Sequence, residues 1–257
     1  MMGSPIRQDI DQVDPQTLTS GDAQNRHRAR SCPVCQEQNK WYATRCSHCG
    51  SYLQNKVDTL NLFETLWELV ESPLRALSRI ILAEHKNYTL LLSGVFGIAF
   101  VYAYSWFHHV GARIESLLVV LLVGLLAGPV AGIGLMGILS ALLTVILRKL
   151  GSPMSFRNVH AVTSYASAPV VFSLFLVFPL ELMTFGGFLF TSNPSLGTLN
   201  PASYVLFLLL DGSAVLWSVV LLSVGVHVLS GFRVLKSALI AVGSSALVIV
   251  PFLAVSV

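Results

Sequence analysis

Residues 116–147 read SLLVVLLVGLLAGPVAGIGLMGILSALLTVIL, a stretch of 32 residues without a charged side chain. At 1.5 Å per residue a helix of this length measures about 48 Å, whereas the hydrocarbon core of a bilayer is about 30 Å thick. The stretch therefore predicts a membrane-spanning helix that either bends or divides into two segments, with the break expected at Gly128-Pro129. Gly124, Gly128 and Gly132 recur at four-residue spacing, which lets two helices approach closely.

The composition of the whole chain also indicates a membrane protein. Its 257 residues are 54% hydrophobic and only 11% charged, and the mean hydropathy is +0.69. So much apolar surface cannot all be hidden in one soluble core, and it must therefore face lipid. Four further apolar runs have the length of a span, near residues 87–107, 160–183, 204–229 and 234–256. We predict an all-α polytopic membrane protein with a five-span transmembrane helical bundle.

The distribution of positive charge predicts the orientation of these spans. Ten of the sixteen Lys and Arg residues precede the first span, and short cytosolic loops are the ones that normally carry basic residues. The connections after the second and fourth spans are basic too, and only Arg113 falls on the opposite side. Five spans therefore place the N-terminus in the cytosol and the C-terminus outside. Counting residues 116–147 as two spans would reverse the later loops and spoil this pattern.

All four cysteines lie in two short motifs near the N-terminus. The motifs are Cys32-Pro33-Val34-Cys35 and, after ten residues, Cys46-Ser47-His48-Cys49. This spacing is typical of a zinc ribbon with a tetrahedral shell of four thiolates, so we predict a structural zinc ion held by Cys32, Cys35, Cys46 and Cys49. So short a segment cannot hold itself together by burial, and metal binding would supply its folding free energy. Four protein ligands leave no coordination position for catalysis.

The cysteine motifs have two other interpretations, redox chemistry and chance. A redox dithiol normally sits on a βαβ scaffold, and the sequence has no such pattern. His48 lies inside the second motif, but with four cysteines available we expect it not to bind the metal. Trp41 and Tyr42 are expected to cover the site. The ribbon is predicted to span residues 30–55, after a disordered polar lead over residues 1–29.

Residues 56–86 are predicted to form two amphipathic helices beside the membrane. The apolar residues of the first helix recur at helical spacing, and they are Phe63, Leu66, Trp67 and Val70. Ser72-Pro73 predicts an N-cap followed by proline at the first position of the second helix. That helix has an apolar side and a basic flank, formed by Leu74, Leu77 and Ile81 and by Arg75, Arg79 and Lys86. It is expected either to lie in the headgroup layer or to pack on the bundle or the ribbon.

Several segments resemble one family of membrane domains. The loop Gly151-Ser152-Pro153 and the run Thr163-Ser164-Tyr165-Ala166-Ser167-Ala168-Pro169 are similar to the third-span region of the Yip (Ypt/Rab-interacting protein) membrane domain family. Similarity to its fourth span and the following turn is carried by Trp217, Gly225, His227, Ser230 and Lys236-Ser237-Ala238. The resemblance covers about residues 70–257, with the membrane domain itself at 87–257. It implies a five-span bundle with a cytosolic N-terminus.

The resemblance also bears on partners and location. Eukaryotic members of the Yip family are associated with prenylated Rab-type GTPases and vesicle traffic. This chain lacks their cytosolic Asp-Leu-Tyr-Gly-Pro motif and has zinc motifs instead, an arrangement that looks like prokaryotic members. The departure argues against GTPase binding and favours the prokaryotic cytoplasmic membrane. For prokaryotic relatives the family implies a fold and a membrane, but no activity.

Ionisable residues inside the spans are candidates for function, because a charge in mid-membrane is costly. Asp211 lies within the fourth span and is the strongest candidate for moving ions, protons or lipid. Glu181, His160 and His227 lie near span ends, where contact with interfacial water is the simpler explanation. Tyr165 is expected to satisfy a hydrogen bond inside the bundle. Glu181, His227 and Tyr165 therefore rank behind Asp211 as intramembrane functional residues.

No motif in the sequence points to an enzyme: it has no phosphate-binding glycine loop, no His-Glu-x-x-His and no nucleophile elbow. The first hypothesis is a non-enzymatic membrane scaffold or adaptor with a cytosolic zinc-ribbon module. The alternative is a small transporter, channel or lipid-moving protein that uses Asp211. The partners considered are the lipid bilayer, a cytosolic protein bound by the ribbon, and a second copy of the chain. A net charge of +3 gives no reason to expect nucleic acid.

Overall fold

The computed structural model describes residues 29–254 apart from residues 41, 42, 44, 54–59, 115 and 153. Residues 1–28 of the predicted lead, and the predicted covering residues Trp41 and Tyr42, lie outside the described residues. The chain divides into two compact units, residues 1–55 and 56–257, and each is considered by itself.

The first unit is a small β-structure built around the two cysteine motifs. Strand β1, Ala29–Ser31, pairs antiparallel with strand β2, Gln38–Lys40. Farther along the chain, a single antiparallel bridge joins Arg45 and Tyr52. Each cysteine motif therefore lies in a turn between two paired backbone segments.

The second unit consists of helices. Two short helices come first, α1 over Leu62–Glu71 and α2 over Pro73–Leu82. The remaining helices are α3 (Thr89–Phe107), α4 (Leu117–Lys149), α5 (Phe156–Ala166), α6 (Ala168–Phe185), α7 (Leu196–Leu199), α8 (Pro201–Ser230) and α9 (Val234–Ala254). Within the described ranges, five helical segments are long and apolar enough to cross a membrane. The predicted all-α bundle of five spans is confirmed.

The long uncharged stretch forms one helix and does not divide. Helix α4 runs for 33 residues with Pro129 inside it. Proline removes one backbone donor, but a membrane-spanning helix tolerates this loss when neighbouring groups satisfy the freed carbonyl. The stretch therefore counts as a single span, as the charge pattern requires.

The third span is longer than residues 160–183 and is interrupted in the middle. It begins at Phe156, where the N-cap Ser155 accepts a hydrogen bond from the backbone N–H of Asn158. Helix α5 ends at Ala166, and α6 restarts with a proline in its first turn, a position where the missing N–H costs nothing. Together with a 3₁₀ turn over Gly186–Phe190, the two helices make one span.

Helices α3 and α4 approach so closely that backbone touches backbone. A Cβ atom added to Gly97 would collide with the carbonyl oxygen of Gly128, and one added to Gly132 would collide with the backbone of α3. At Gly124 an added Cβ would enter the ring of Tyr102. The glycine row found in the sequence is therefore the surface on which α3 packs.

Replacing Gly132 by alanine is expected to destabilise the bundle by roughly 1–3 kcal/mol, because the new methyl group has no room against α3. Gly134→Ala is the matched control, since a Cβ atom at that position of the same helix meets nothing within 4 Å. The measurement is thermal unfolding of both variants in the same detergent. Equal melting temperatures for the two variants would contradict the close contact.

Helices α1 and α2 form a hairpin joined by one arginine. Arg79 Nη1 lies 2.6 Å from Glu64 Oε1 and 3.4 Å from Glu68 Oε2, and its hydrogen bond to Glu64 lowers the pKa of that carboxyl. Of the two locations expected for the second amphipathic helix, the structure shows the packed one. Helix α2 lies against α5 and α8 through a fully buried face that contains Ala76, Leu77 and Ile80.

The four apolar residues predicted at helical spacing on α1 do not all pack against the protein. Phe63, Trp67 and Val70 are 81%, 67% and 61% exposed, and only Leu66 is buried. The ion pairs with Arg79 rotate α1 so that Glu64 and Glu68 face α2. This rotation buries the neighbouring side of the helix, which carries Thr65 and Leu69.

Lys86 caps the C-terminal end of α2. Its Nζ donates hydrogen bonds of 2.7, 3.1 and 3.1 Å to the carbonyl oxygens of Ile80, Ile81 and Ala83. These belong to the last turn of the helix or follow it, where carbonyl groups have no helical partner. Burial lowers the pKa of Lys86 to about 8, and the charge of Arg157 acts in the same direction.

Lys86→Met is expected to destabilise the bundle by about 1–3 kcal/mol, because three carbonyl groups lose their donor. The difference in free energy of unfolding between wild type and variant should grow as the pH rises from about 8 to 10.5. In that window the unfolded chain still binds the Lys86 proton that the folded chain has released, so folding gains stability with pH. Denaturant titrations at several pH values test this, and a constant difference would contradict the lowered pKa.

Candidate functional site

The four cysteines of the first unit converge on one point. Their sulfur atoms all lie within 4.8 Å of one another. The Sγ–Sγ distance is 3.6 Å between Cys32 and Cys49 and 3.5 Å between Cys35 and Cys46. These distances exclude disulfides, whose sulfurs are about 2.05 Å apart. Four sulfurs at about 2.3 Å from a zinc ion would lie about 3.8 Å apart in a tetrahedron, so the cluster has the size that zinc requires.

The two cysteine motifs share one backbone pattern. The N–H of Cys32 and that of Cys46 each donate to the carbonyl five residues later, at 2.9 and 2.8 Å. The carbonyl oxygens of the same two residues accept from the N–H four residues later, which belongs to Gln36 and Gly50. Both of these residues are left-handed, with φ of 61° and 71°. This conformation suits glycine, and Gln36 adopts it because the turn around the first motif has the same shape.

Backbone N–H groups also point at the sulfurs. The N–H of Val34 donates to Cys32 Sγ and that of His48 donates to Cys46 Sγ, both at 3.4 Å. The His48 side chain is exposed and does not belong to the cluster of ligand atoms. His48 therefore supports the site through its backbone.

Asn39 is a buried residue that no sequence motif marks. Its Nδ2 donates to Cys46 Sγ at 3.4 Å and to the Glu37 carbonyl oxygen at 2.8 Å. Its Oδ1 accepts from the backbone N–H of Ser47 at 2.8 Å. Asn39 thus ties strand β2 to the second cysteine motif, and no spacing signal distinguishes it from any other asparagine.

Hydrogen bonds and charge repulsion act in opposite directions on the thiols. The Ser51 hydroxyl lies 3.0 Å from Cys32 Sγ, and this bond lowers the pKa of Cys32 to about 6. At Cys35 the N–H of Glu37 favours the thiolate, but burial and the neighbouring sulfurs outweigh it and raise the pKa to about 12. A divalent cation at the centre removes the repulsion among four thiolates. The donor set therefore fits a thiophilic, tetrahedral metal ion.

Asn39→Ala is expected to weaken zinc binding roughly 10–100-fold, the usual cost of losing a group that orients a ligand. Gln38→Ala is the matched control, because Gln38 is the exposed neighbour in the same strand. Competition with a chelator of known affinity, using the full-length protein in detergent, gives both dissociation constants. Equal constants would show that Asn39 does not support the cluster.

In the second unit, Asp211 and Glu181 lie beside each other. Glu181 belongs to α6 and Asp211 to α8, and both residues line the same cavity. Ser173 lies about two turns before Glu181 on α6, and its hydroxyl donates a hydrogen bond to Asp211 Oδ1. Both acids border a cavity of about 210 Å³ between α3, α6 and α8. The structure therefore brings Glu181, expected at the interface, into one site with Asp211.

The other intramembrane candidates lie elsewhere. Tyr165 is fully buried, and its hydroxyl donates to the Asn87 carbonyl oxygen at 2.8 Å. His227 Nδ1 bonds the carbonyl oxygen of Phe232. Neither residue lines the cavity. Tyr165 and His227 each hydrogen-bond another part of the bundle. The polar lining of the cavity includes Asp211, Glu181 and Ser173, and no sequence motif marked Ser173.

The five-span helical bundle defines a polytopic membrane protein, and the four-cysteine cluster that precedes it could hold a metal ion. The family model of the Yip1 domain matches residues 67–255. The chain therefore belongs to the Yip1 domain family, and the resemblance seen in the sequence is confirmed. No curated protein and no solved structure matches the chain.

Proposed function

We propose that this protein is a non-enzymatic membrane adaptor whose zinc-binding ribbon recruits a protein partner from the cytosol. The observation that carries the proposal is the four-cysteine cluster, whose four thiols leave no coordination position for a substrate. A metal held in this way stabilises a shape and performs no chemistry. Val34 and Tyr52 are exposed beside the cluster and are of the kind that partner proteins contact.

The orientation of the adaptor is inferred from basic residues at one end of the bundle. Arg148 and Lys149 end α4, Arg157 lies in the first turn of α5, and Lys86 precedes α3. Arg157 donates a hydrogen bond to the Glu84 carbonyl oxygen, which brings two of these connections together. Basic connections favour the cytosolic side. The N-terminus is therefore cytosolic and the C-terminus outside, in a cytoplasmic membrane of the prokaryotic type.

A second candidate function is the binding or movement of a small molecule inside the bundle. The observation that favours it is the cavity bordered by Asp211 and Glu181. Acids inside a span are costly, and they are commonly retained for an ion or substrate path. The two functions occupy separate units of the chain, so single variants distinguish them.

The adaptor proposal is tested by affinity purification of the intact, detergent-solubilised protein beside a Cys32→Ser, Cys35→Ser variant. Mass spectrometry reads both the metal content and the proteins that co-purify. We expect about one zinc ion per wild-type chain, no zinc in the variant, and a partner that is lost with the zinc. Asp211→Asn is the matched control, because it preserves the side-chain shape and leaves the ribbon intact.

Three outcomes would contradict the adaptor. One is a wild-type chain without zinc, and another is a set of partners that the zinc-free variant keeps. The third is loss of the partner from Asp211→Asn alone, which would assign the function to the intramembrane cavity.

A further inference from the structure

The charged side chains known to border the cavity between α3, α6 and α8 are acidic. Asp211 and Glu181 are its charged side chains, and none of the described residues that line it is Lys, Arg or His. Neighbouring carboxyl groups in apolar surroundings repel each other when both are ionised. They are stabilised by a cation or by sharing a proton. The described residues that line the cavity supply no positive charge for either acid.

Aromatic rings form much of the cavity wall. Tyr102 and Phe178 are stacked with their centroids 4.6 Å apart, and the centroid of Phe190 lies 6.2 Å from that of Tyr102. Trp106 and Tyr204 add two more rings to the lining. The faces of Trp, Tyr and Phe attract cations, and such rings commonly recognise alkylated ammonium groups.

We propose that the cavity binds an organic ammonium cation, with the ammonium group at Asp211 and Glu181 and its alkyl part against the aromatic wall. This inference rests on the second candidate function and names the chemistry of its ligand. The acids supply the counter-charge, and the rings replace the water that surrounds the alkyl groups. Ser173 fixes the Asp211 carboxyl through its hydrogen bond.

Other positive ligands fit the cavity less well. Calcium and magnesium ions require about six or more oxygen ligands, whereas the cavity lining is mostly apolar. A proton would neutralise one acid but would leave a space of about 210 Å³ without contacts. An organic cation satisfies both the charge and the apolar wall.

An ammonium group reaches such a cavity from two sources, the amine headgroup of a lipid or a free alkylamine. Both present the same cationic nitrogen. They differ in whether a long hydrocarbon chain accompanies it, so probes with and without a chain distinguish them.

The test is equilibrium dialysis of radiolabelled probes against the full-length protein in dodecyl maltoside, with protein-free micelles as the blank. The probes are decyltrimethylammonium, uncharged decanol of the same chain length, and tetramethylammonium. We expect wild type to bind decyltrimethylammonium and Asp211→Asn to bind it roughly tenfold more weakly. Glu71→Gln is the matched control, because it removes an exposed acid from α1, outside the bundle spans.

Trp106→Leu keeps the test decisive if Asp211→Asn fails to fold by circular dichroism. It preserves apolar bulk but removes a ring from the wall, so binding of decyltrimethylammonium should weaken while binding of decanol stays the same. Competition by tetramethylammonium indicates a free amine as the ligand. Binding of the long-chain cation without such competition indicates a lipid, and either result supports the ammonium site.

The inference is overturned if wild type binds decanol as tightly as decyltrimethylammonium, or if folded Asp211→Asn keeps the wild-type affinity for the cation. Equal binding of the two probes would still leave the cavity as a site for apolar molecules, so the second candidate function would survive. If folded wild type binds neither probe, that candidate function fails as well.

Discussion

The contact of backbone with backbone between α3 and α4 is the constraint on which the membrane unit depends. It exists because Gly97, Gly128 and Gly132 have no side chain where the helices cross. One turn farther along, Gly124 leaves space for the Tyr102 ring, whose hydroxyl donates to the Leu121 carbonyl oxygen at 2.9 Å. The ring fixed in this way stacks on Phe178 of α6. The position of the cavity wall thus depends on the glycine row, which lets α3 and α4 approach closely.

Polar side chains inside the bundle divide into those that join two spans and the two acids that border the cavity. Ser93 and Ser164 are joined by a hydrogen bond of 2.8 Å, and Ser140 lies 3.0 Å from His160 Nδ1. Such pairs satisfy polar groups in apolar surroundings and hold spans together. Asp211 accepts a hydrogen bond from Ser173, but none of the described residues that line the cavity gives either acid a basic partner. This contrast separates polar groups that build the bundle from those available to a ligand.

The features that could be predicted from the sequence are those determined within one segment of the chain. The five spans follow from length and hydropathy, and the cysteine cluster follows from two spacings, because each signal lies within one segment. Which side of α1 faces α2 could not be predicted, because Glu64 and Glu68 pair with Arg79 of the next helix. The pairing of Glu181 with Asp211 depends on how α6 packs against α8. The role of Asn39 could not be predicted for the same reason, because two of its hydrogen-bond partners, Cys46 and Ser47, lie in a turn farther along the chain.

The two cysteine motifs are one backbone shape used twice, and close sulfur contacts join them: Cys32 Sγ lies 3.6 Å from Cys49 Sγ, and Cys35 Sγ lies 3.5 Å from Cys46 Sγ. A bound ion would therefore cross-link the two motifs, each of which supplies two thiol ligands. Neither motif alone supplies the four ligands of a structural site, so the loss of one thiolate leaves the coordination shell incomplete. A small module of this kind is folded with its metal ion and unfolded without it. In an adaptor, each chain would hold its partner only while this single site is occupied, so the fraction of partner held at the membrane would follow the occupancy of the site as the metal concentration of the cell changes.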